Sequence, residues 1–204
     1  EEALKIYQHN HATEHIDCMS ASMLVSSSLK RSKDTVAYRY PPELADGRVA
    51  PYLRDIDVLL AGPPCQGHSN LNNRTRRTDE RNALYLTVPD VAIAANIPIV
   101  VIENVPAVIH DQSGHDVVET TKKLLVDNGY SIETGVLKSH AFGWPQTRSR
   151  HFLIARSEAA PGAPFPLTEL TKVFAAKPRS IMTAISDLES KPLDNQMHRI
   201  AKYS

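Results

Sequence analysis

Apolar residues in this chain fall into short blocks, and the spacing inside each block predicts its element. Ala3, Ile6, Tyr7 and Asn10 recur at helical spacing, which predicts a short opening helix that stops at Asn10. Residues 20–35 are rich in Ser and Lys, show no period, and predict only a helix or a surface connection. Pro41-Pro42 and Asp46-Gly47 predict turns. Residues 56–61 and 98–103 are short apolar runs, as expected of strands buried on both faces. Between them, residues 83–96 predict a helix in spite of Pro89, and strand, helix, strand in that order predicts a right-handed parallel crossover. A further helix is predicted over 117–127, stopped by Asn128-Gly129, then strands over 130–137 and 151–155. Residues 159–166 predict a surface connection and 181–188 a last helix. The class is α/β.

Composition narrows the function classes. With 204 residues, 42% hydrophobic and 23% charged, the chain fits one globular domain with a sizeable core. Its 23 basic and 23 acidic residues cancel, so attraction to nucleic acid must come from local patches. One such patch is the segment 67–82, which carries Arg74, Arg76, Arg77 and Arg81 without apolar anchors. That pattern suits a loop closing over phosphates and equally a solvated face. Cys18 and Cys65 form no C-x-x-C pair, which argues against a disulfide framework and a thiolate zinc cluster and favours a reducing cytoplasm. No apolar run is long enough for a membrane span, and no signal peptide is evident, so a soluble protein without a membrane partner is expected.

Three segments carry candidate chemistry. Gly62-Pro63-Pro64-Cys65-Gln66 leaves the first apolar run, Glu103-Asn104-Val105 ends the second, and Gly143-Trp144-Pro145-Gln146-Thr147-Arg148-Ser149-Arg150 precedes the strand at 151–155. Ligands of open α/β sheets gather beyond the carboxyl ends of the strands, so Cys65 and Glu103 are predicted on one rim. Taken singly, each has a plainer reading. A lone cysteine is more often packing than nucleophile, Glu103 could be a surface acid, the arginines a solvated edge, and Trp144 a packed turn residue. His11-Ala12-Thr13-Glu14-His15 matches an H-x-x-E-H metallopeptidase pattern, but that chemistry needs both histidines on one stable helix and a third ligand. The opening helix is predicted to stop before it, so no metal site is assigned.

Together and in this order, the three segments resemble the DNA (cytosine-5)-methyltransferase family. The resemblance implies a Rossmann-like sheet, S-adenosylmethionine as methyl donor, and DNA as partner. It implies that Cys65 attacks carbon-6 of a flipped cytosine, that Glu103 acts at ring nitrogen-3, and that Arg150 holds the base at O2. The role of Glu103 asks its carboxyl to hold a proton, which suits a partly desolvated site. Gly62, Pro63, Pro64 and Asn82 would touch the donor. Gln66, Ser69, Arg74, Arg76, Arg77 and Arg148 would face DNA, and Gln146 would support the site.

The chain also departs from the family pattern. Its eight glycines include no G-x-G pair, so the family's glycine-rich turn and ribose-binding acid are expected before Glu1, leaving the sheet incomplete at its N-terminal strand. Residues 183–188 resemble the segment leading into target recognition, so the recognition domain is expected after residue 204. Residues 1–204 therefore read as part of a catalytic domain, to be completed by further segments or a complementing chain. The implied activity is cytosine-5 methylation of DNA, as in restriction-modification, in a cytoplasmic or nucleoid-associated setting. A silent module that binds nucleic acid or a partner chain is the alternative. Transfer-RNA methylation is a third reading, disfavoured because Gly67-His68-Ser69 does not resemble that subfamily's residues after its cysteine.

Overall fold

Two β-layers share one central helix. The computed structural model describes residues 2–11, 13, 15–32, 36–64, 83–110, 112–162 and 166–186. The helices are α1 (Glu2–Asn10), α2 (Ala50–Leu53), α3 (Ala83–Ala95), α4 (Gln112–Asp127), α5 (Leu167–Val173) and α6 (Ile181–Ile185). The strands are β1 (Val25–Arg31), β2 (Val36–Leu44), β3 (Val58–Ala61), β4 (Ile99–Asn104), β5 (Tyr130–Lys138) and β6 (Ser149–Ser157). The α/β class and the main elements follow the sequence pattern.

The larger sheet runs β3-β4-β6-β5. β3 and β4 pair in parallel on either side of α3, as the strand-helix-strand pattern requires. β6 is antiparallel to both β4 and β5, so the sheet is mixed. Side chains alternate between its faces. Val100, Ile102 and Asn104 of β4 share one buried face with His151, Leu153 and Ala155 of β6, and α3 and α4 pack near it. Val101 and Glu103 share the other face with Phe152 and Ile154, and Arg150 continues that face by the same alternation. At the β5 edge this second face meets α5: a Cβ on Gly135 would lie 2.8 Å from Leu167 Cδ2.

α3 is buried along its length, with Tyr85, Val88, Val91, Ala92 and Ala95 all in the core. A helix apolar all round must be enclosed, and this one shares a core with β4 and β6 of the larger sheet through Tyr85, Val88 and Ala92 and meets β1 and β2 as well. That enclosure tolerates Pro89, whose missing N–H would break an exposed helix more readily. α3 ends on Asn96 at φ 56°, a left-handed stop that asparagine accepts, and α4 is followed by Gly129 at φ 80°. One polar clamp ties α3 to the hairpin. Ser27 Oγ and Tyr38 Oη donate to the two carboxylate oxygens of Asp90 at 2.5 and 2.6 Å. Burial pushes the Asp90 carboxyl above its ordinary range, against the two hydrogen bonds, and raises the Tyr38 phenol as well.

Three expectations need correction. Pro41-Pro42 is no turn but lies inside β2, where Ser26 pairs with Glu43 and Ser28 with Tyr40, so the two prolines together oppose Ser27 alone. A bulge is where a strand can accept residues that cannot donate to the ladder. Residues 20–35 contain β1, whose Ser-rich sequence has only Val25 buried and so no alternation to read. α4 also starts five residues earlier than expected, at Gln112. α1 does end at Asn10, and beyond it the His11 ring lies tilted against Tyr7 at 4.5 Å while that of His15 lies tilted against Tyr52 at 3.9 Å. The two histidines thus have separate aromatic partners. Cys18 is an exposed free thiol, and no helix among the described residues is long and apolar enough to cross a membrane.

Candidate active site

Glu103 is the penultimate residue of β4, where an apolar strand gives way to a polar end, and its alternation aims it at the open face. Across the sheet it pairs with Phe152, which places Arg150, two residues earlier on β6, diagonally beside it on the same face. Arg150 Nε stands 2.6 Å from Glu103 Oε1, and an Arg148 terminal nitrogen 3.6 Å from the same oxygen. The Arg150 guanidinium also donates to the Ser149 carbonyl at 2.8 Å. These groups line a cavity of about 220 Å³ with Leu137, Ser139, Phe142, Trp144 and Phe152. The Glu103 side chain is 37% exposed. It is thus partly withdrawn from solvent, and two guanidinium groups stand beside it.

Behind Glu103, Asn104 turns to the buried face and is only 3% exposed. Its Oδ1 accepts from the Val105 N–H at 2.8 Å and its Nδ2 donates to the Pro63 carbonyl at 3.3 Å. The backbone two residues before Cys65 is thereby tied to the neighbour of Glu103. Asn104 is a site residue without an expected role, and its signal in the sequence is an amide that closes an apolar run beside an acid. His151 pairs opposite Asn104 on β6 and is fully buried, with Nε2 3.4 Å from Thr134 Oγ1. Burial, and secondarily the charge of Lys122, lowers its pKa and favours the neutral ring.

The turn before β6 is held from two sides. Ser139 N–H donates to the Arg148 carbonyl at 2.8 Å, and Ala176 N–H donates to the Ala141 carbonyl at 2.9 Å. Gly143, at φ 78°, sits where a Cβ would lie 3.0 Å from Ala176 Cβ, so both backbone angle and close approach require glycine. Trp144 is not the packed turn residue expected from sequence: it is 59% exposed. The fixed turn points its ring outward.

Of the other expected site residues, Gly62, Pro63 and Pro64 line an apolar cavity of about 320 Å³ at the end of β3, with Leu59, Leu84 and Val88 among its walls. Those walls fit the flat, weakly polar part of a nucleoside. They offer no carboxylate for a ribose diol and no cation for a carboxylate, so among the described residues they fit one side of such a donor. Cys65, Gln66, Ser69, Arg74, Arg76, Arg77 and Asn82 lie outside the described residues. Gln146 is exposed on the turn. Among the described residues no cluster of His, Cys, Asp and Glu could hold a metal ion.

Type II methyltransferase M1.BsuMI of Bacillus subtilis is 36% identical over 164 residues, which is 80% of this chain and 37% of that protein. DNA (cytosine-5)-methyltransferase 1 of Mus musculus is 31% identical over 144 residues, 69% of this chain and 9% of that protein. The chain therefore spans well under half the length of these relatives. Among solved structures, a prophage-encoded chain from E. coli described as a DNA modification methyltransferase matches with a TM-score of 0.52 and 24% identity, covering 68% of this chain and 37% of its own. That likeness supports the Rossmann-like fold. The model of the C-5 cytosine-specific DNA methylases matches residues 43–203, from the end of β2 through both sheet-end motifs and the arginine turn. By that match, which takes in most of its length, the chain belongs to the C-5 cytosine-specific DNA methylase family.

Proposed function

We propose that the protein to which this chain belongs methylates carbon-5 of cytosine in DNA, with Cys65 as nucleophile, Glu103 as the acid at ring nitrogen-3 and Arg150 as the group that holds the base. The observation that carries the reading is the pairing of Glu103 with Arg150 on one sheet face, next to a hydrogen bond that anchors the segment entering Cys65. Family membership supports the same roles.

Cytosine carbon-5 is not nucleophilic until something adds across the neighbouring double bond. The Cys65 thiolate forms a bond to carbon-6, the displaced electron pair moves toward nitrogen-3, and Glu103 delivers a proton there. Carbon-5, now enamine-like, takes a methyl group. S-adenosylmethionine, the donor proposed here, supplies that methyl as an activated sulfonium and leaves as the thioether. Loss of the carbon-5 proton to a base then expels the Cys65 thiolate, and the proton on nitrogen-3 returns to Glu103. A thiol at its ordinary pKa of about 8.5 is only slightly ionised at neutral pH, so cationic neighbours help this attack. Arg150 is permanently charged and planar, which suits a carbonyl edge better than lysine would. Glu103 and Arg150 pair with each other, and an arriving base takes a share of both. Gly62, Pro63 and Pro64 would touch the donor from the β3 side, with Asn82. Gln66, Ser69, Arg74, Arg76, Arg77 and Arg148 would meet DNA around the flipped base.

Duplex DNA with 5-fluorocytosine at the target position tests this reading. Without a proton on carbon-5 the final elimination cannot occur, so native protein and methyl donor are expected to give a complex that survives denaturation. Absence of that complex, or its persistence in Cys65→Ser, overturns the assignment.

A further inference from the structure

Trp144 forms part of the wall of two cavities. One holds Glu103, Arg148 and Arg150; the other, about 250 Å³, lies between Trp144, Pro145, Arg179, Thr183 and Ala184 at the start of α6. The indole is exposed, yet its backbone is fixed: Trp144 N–H donates to the Ser139 carbonyl at 3.3 Å, and Arg179 Nε donates to the Gly143 carbonyl at 3.0 Å. That bond uses one donor of the Arg179 fork, and Arg179 makes no ion pair with a described residue. Three arginines against one glutamate line the two cavities, in a chain with no net charge.

From this geometry we propose that the second cavity is a subsite for the nucleotide beside the target base, its base stacked on Trp144 and its phosphate held by Arg179. The inference rests on the methyl-transfer reading of the adjoining cavity. A flat aromatic surface next to a cation is the chemistry that binds a nucleotide without reading its sequence. A rigid platform suits it, because little ordering remains to be done when the base arrives. An apolar protein segment fits the same place less well, since covering it would bury the remaining donors of Arg179 unpaired.

The 204 residues contain one tryptophan, so subtracting the emission of Trp144→Phe from that of the native protein isolates this indole. In the complex trapped on 5-fluorocytosine duplex, that emission is expected to be quenched and shielded from iodide, while in the free protein it is open to iodide. Trp144→Ala is expected to raise KM for DNA roughly tenfold, the scale of one lost base–aromatic stack. Its kcat should change less, and Trp144→Phe should stay near the native KM. Arg179→Ala should make DNA binding less dependent on salt. Should Trp144→Ala not fold, the quenching measurement on native protein and Trp144→Phe decides alone. Unchanged emission in a complex that does trap, or an unchanged KM in a folded Trp144→Ala, overturns the subsite while methyl transfer stands. An indole already shielded in the free protein shows that protein covers this surface and overturns the subsite too. No trapping by the native protein removes the methyl-transfer reading, and this inference with it.

Discussion

Asn104 Nδ2 reaches the Pro63 carbonyl at 3.3 Å, so the end of β4 and the chain two residues before Cys65 are joined by one buried amide. The same side chain accepts from Val105 N–H, so one residue fixes both approaches to the rim. Asn104→Ala is expected to leave two backbone groups without their partner and to cost about 1–3 kcal/mol of stability. Asn104→Asp keeps the acceptor for Val105 and loses the donor to Pro63. Its methyl-transfer kcat should therefore fall more than its melting temperature suggests, and equal kcat in Asp and native protein would show that the Pro63 contact does not position the loop.

Glu103 and Arg150 should matter to the reaction and little to the fold. Both are partly exposed, at 37% and 23%, and ion pairs in such settings contribute only about 0–1 kcal/mol. Glu103→Gln and Arg150→Ala in the native protein are expected to melt within a few degrees of it while methylation falls on the order of a hundredfold or more. Full activity in either variant removes that residue from the site.

Asp90 makes stability depend on pH. Burial raises its folded pKa above the unfolded value, so its contribution is complete below the ordinary carboxylate range and declines as pH rises through the folded pKa. Asp90→Asn mimics the neutral form. Relative to native protein, its melting temperature is expected to improve as pH rises from the ordinary carboxylate range through the folded pKa, and then to level off; thermal melts showing a constant or opposite difference would contradict the buried-carboxyl account.

Gly143 and Gly129 separate two costs of replacing a glycine. Both have positive φ, 78° and 80°, but a Cβ on Gly129 meets open space while one on Gly143 meets Ala176 Cβ at 3.0 Å. Gly129→Ala is expected to cost about 1–2 kcal/mol from backbone strain alone. Gly143→Ala should cost more and should also disturb Trp144, read by denaturant melts and by indole emission. Equal costs would mean that residues 176–177 yield freely.

Local chemistry decided much of this molecule. The apolar runs at 58–61 and 99–104, the Asn96 and Gly129 stops and the enclosed α3 all follow from nearest neighbours and period, so they are legible in order. The resemblance of Pro64-Cys65-Gln66, Glu103-Asn104-Val105 and the Gln146 to Arg150 segment to one family is likewise a property of the sequence, and the family match agrees with it. What the sequence could not decide depends on contacts between distant residues. β1 has no hydrophobic period because its register comes from β2 and its anchor from Asp90, 63 residues beyond Ser27. Pro41-Pro42 reads as a turn until the opposite strand supplies a bulge. Arg150 lies beside Glu103 only because β6 runs antiparallel to β4 in one particular register; a slip of one residue would send it to the buried face. Trp144 stays exposed because Gly143 and the segment at 176–179 brace its turn from outside, a contact that no local pattern records.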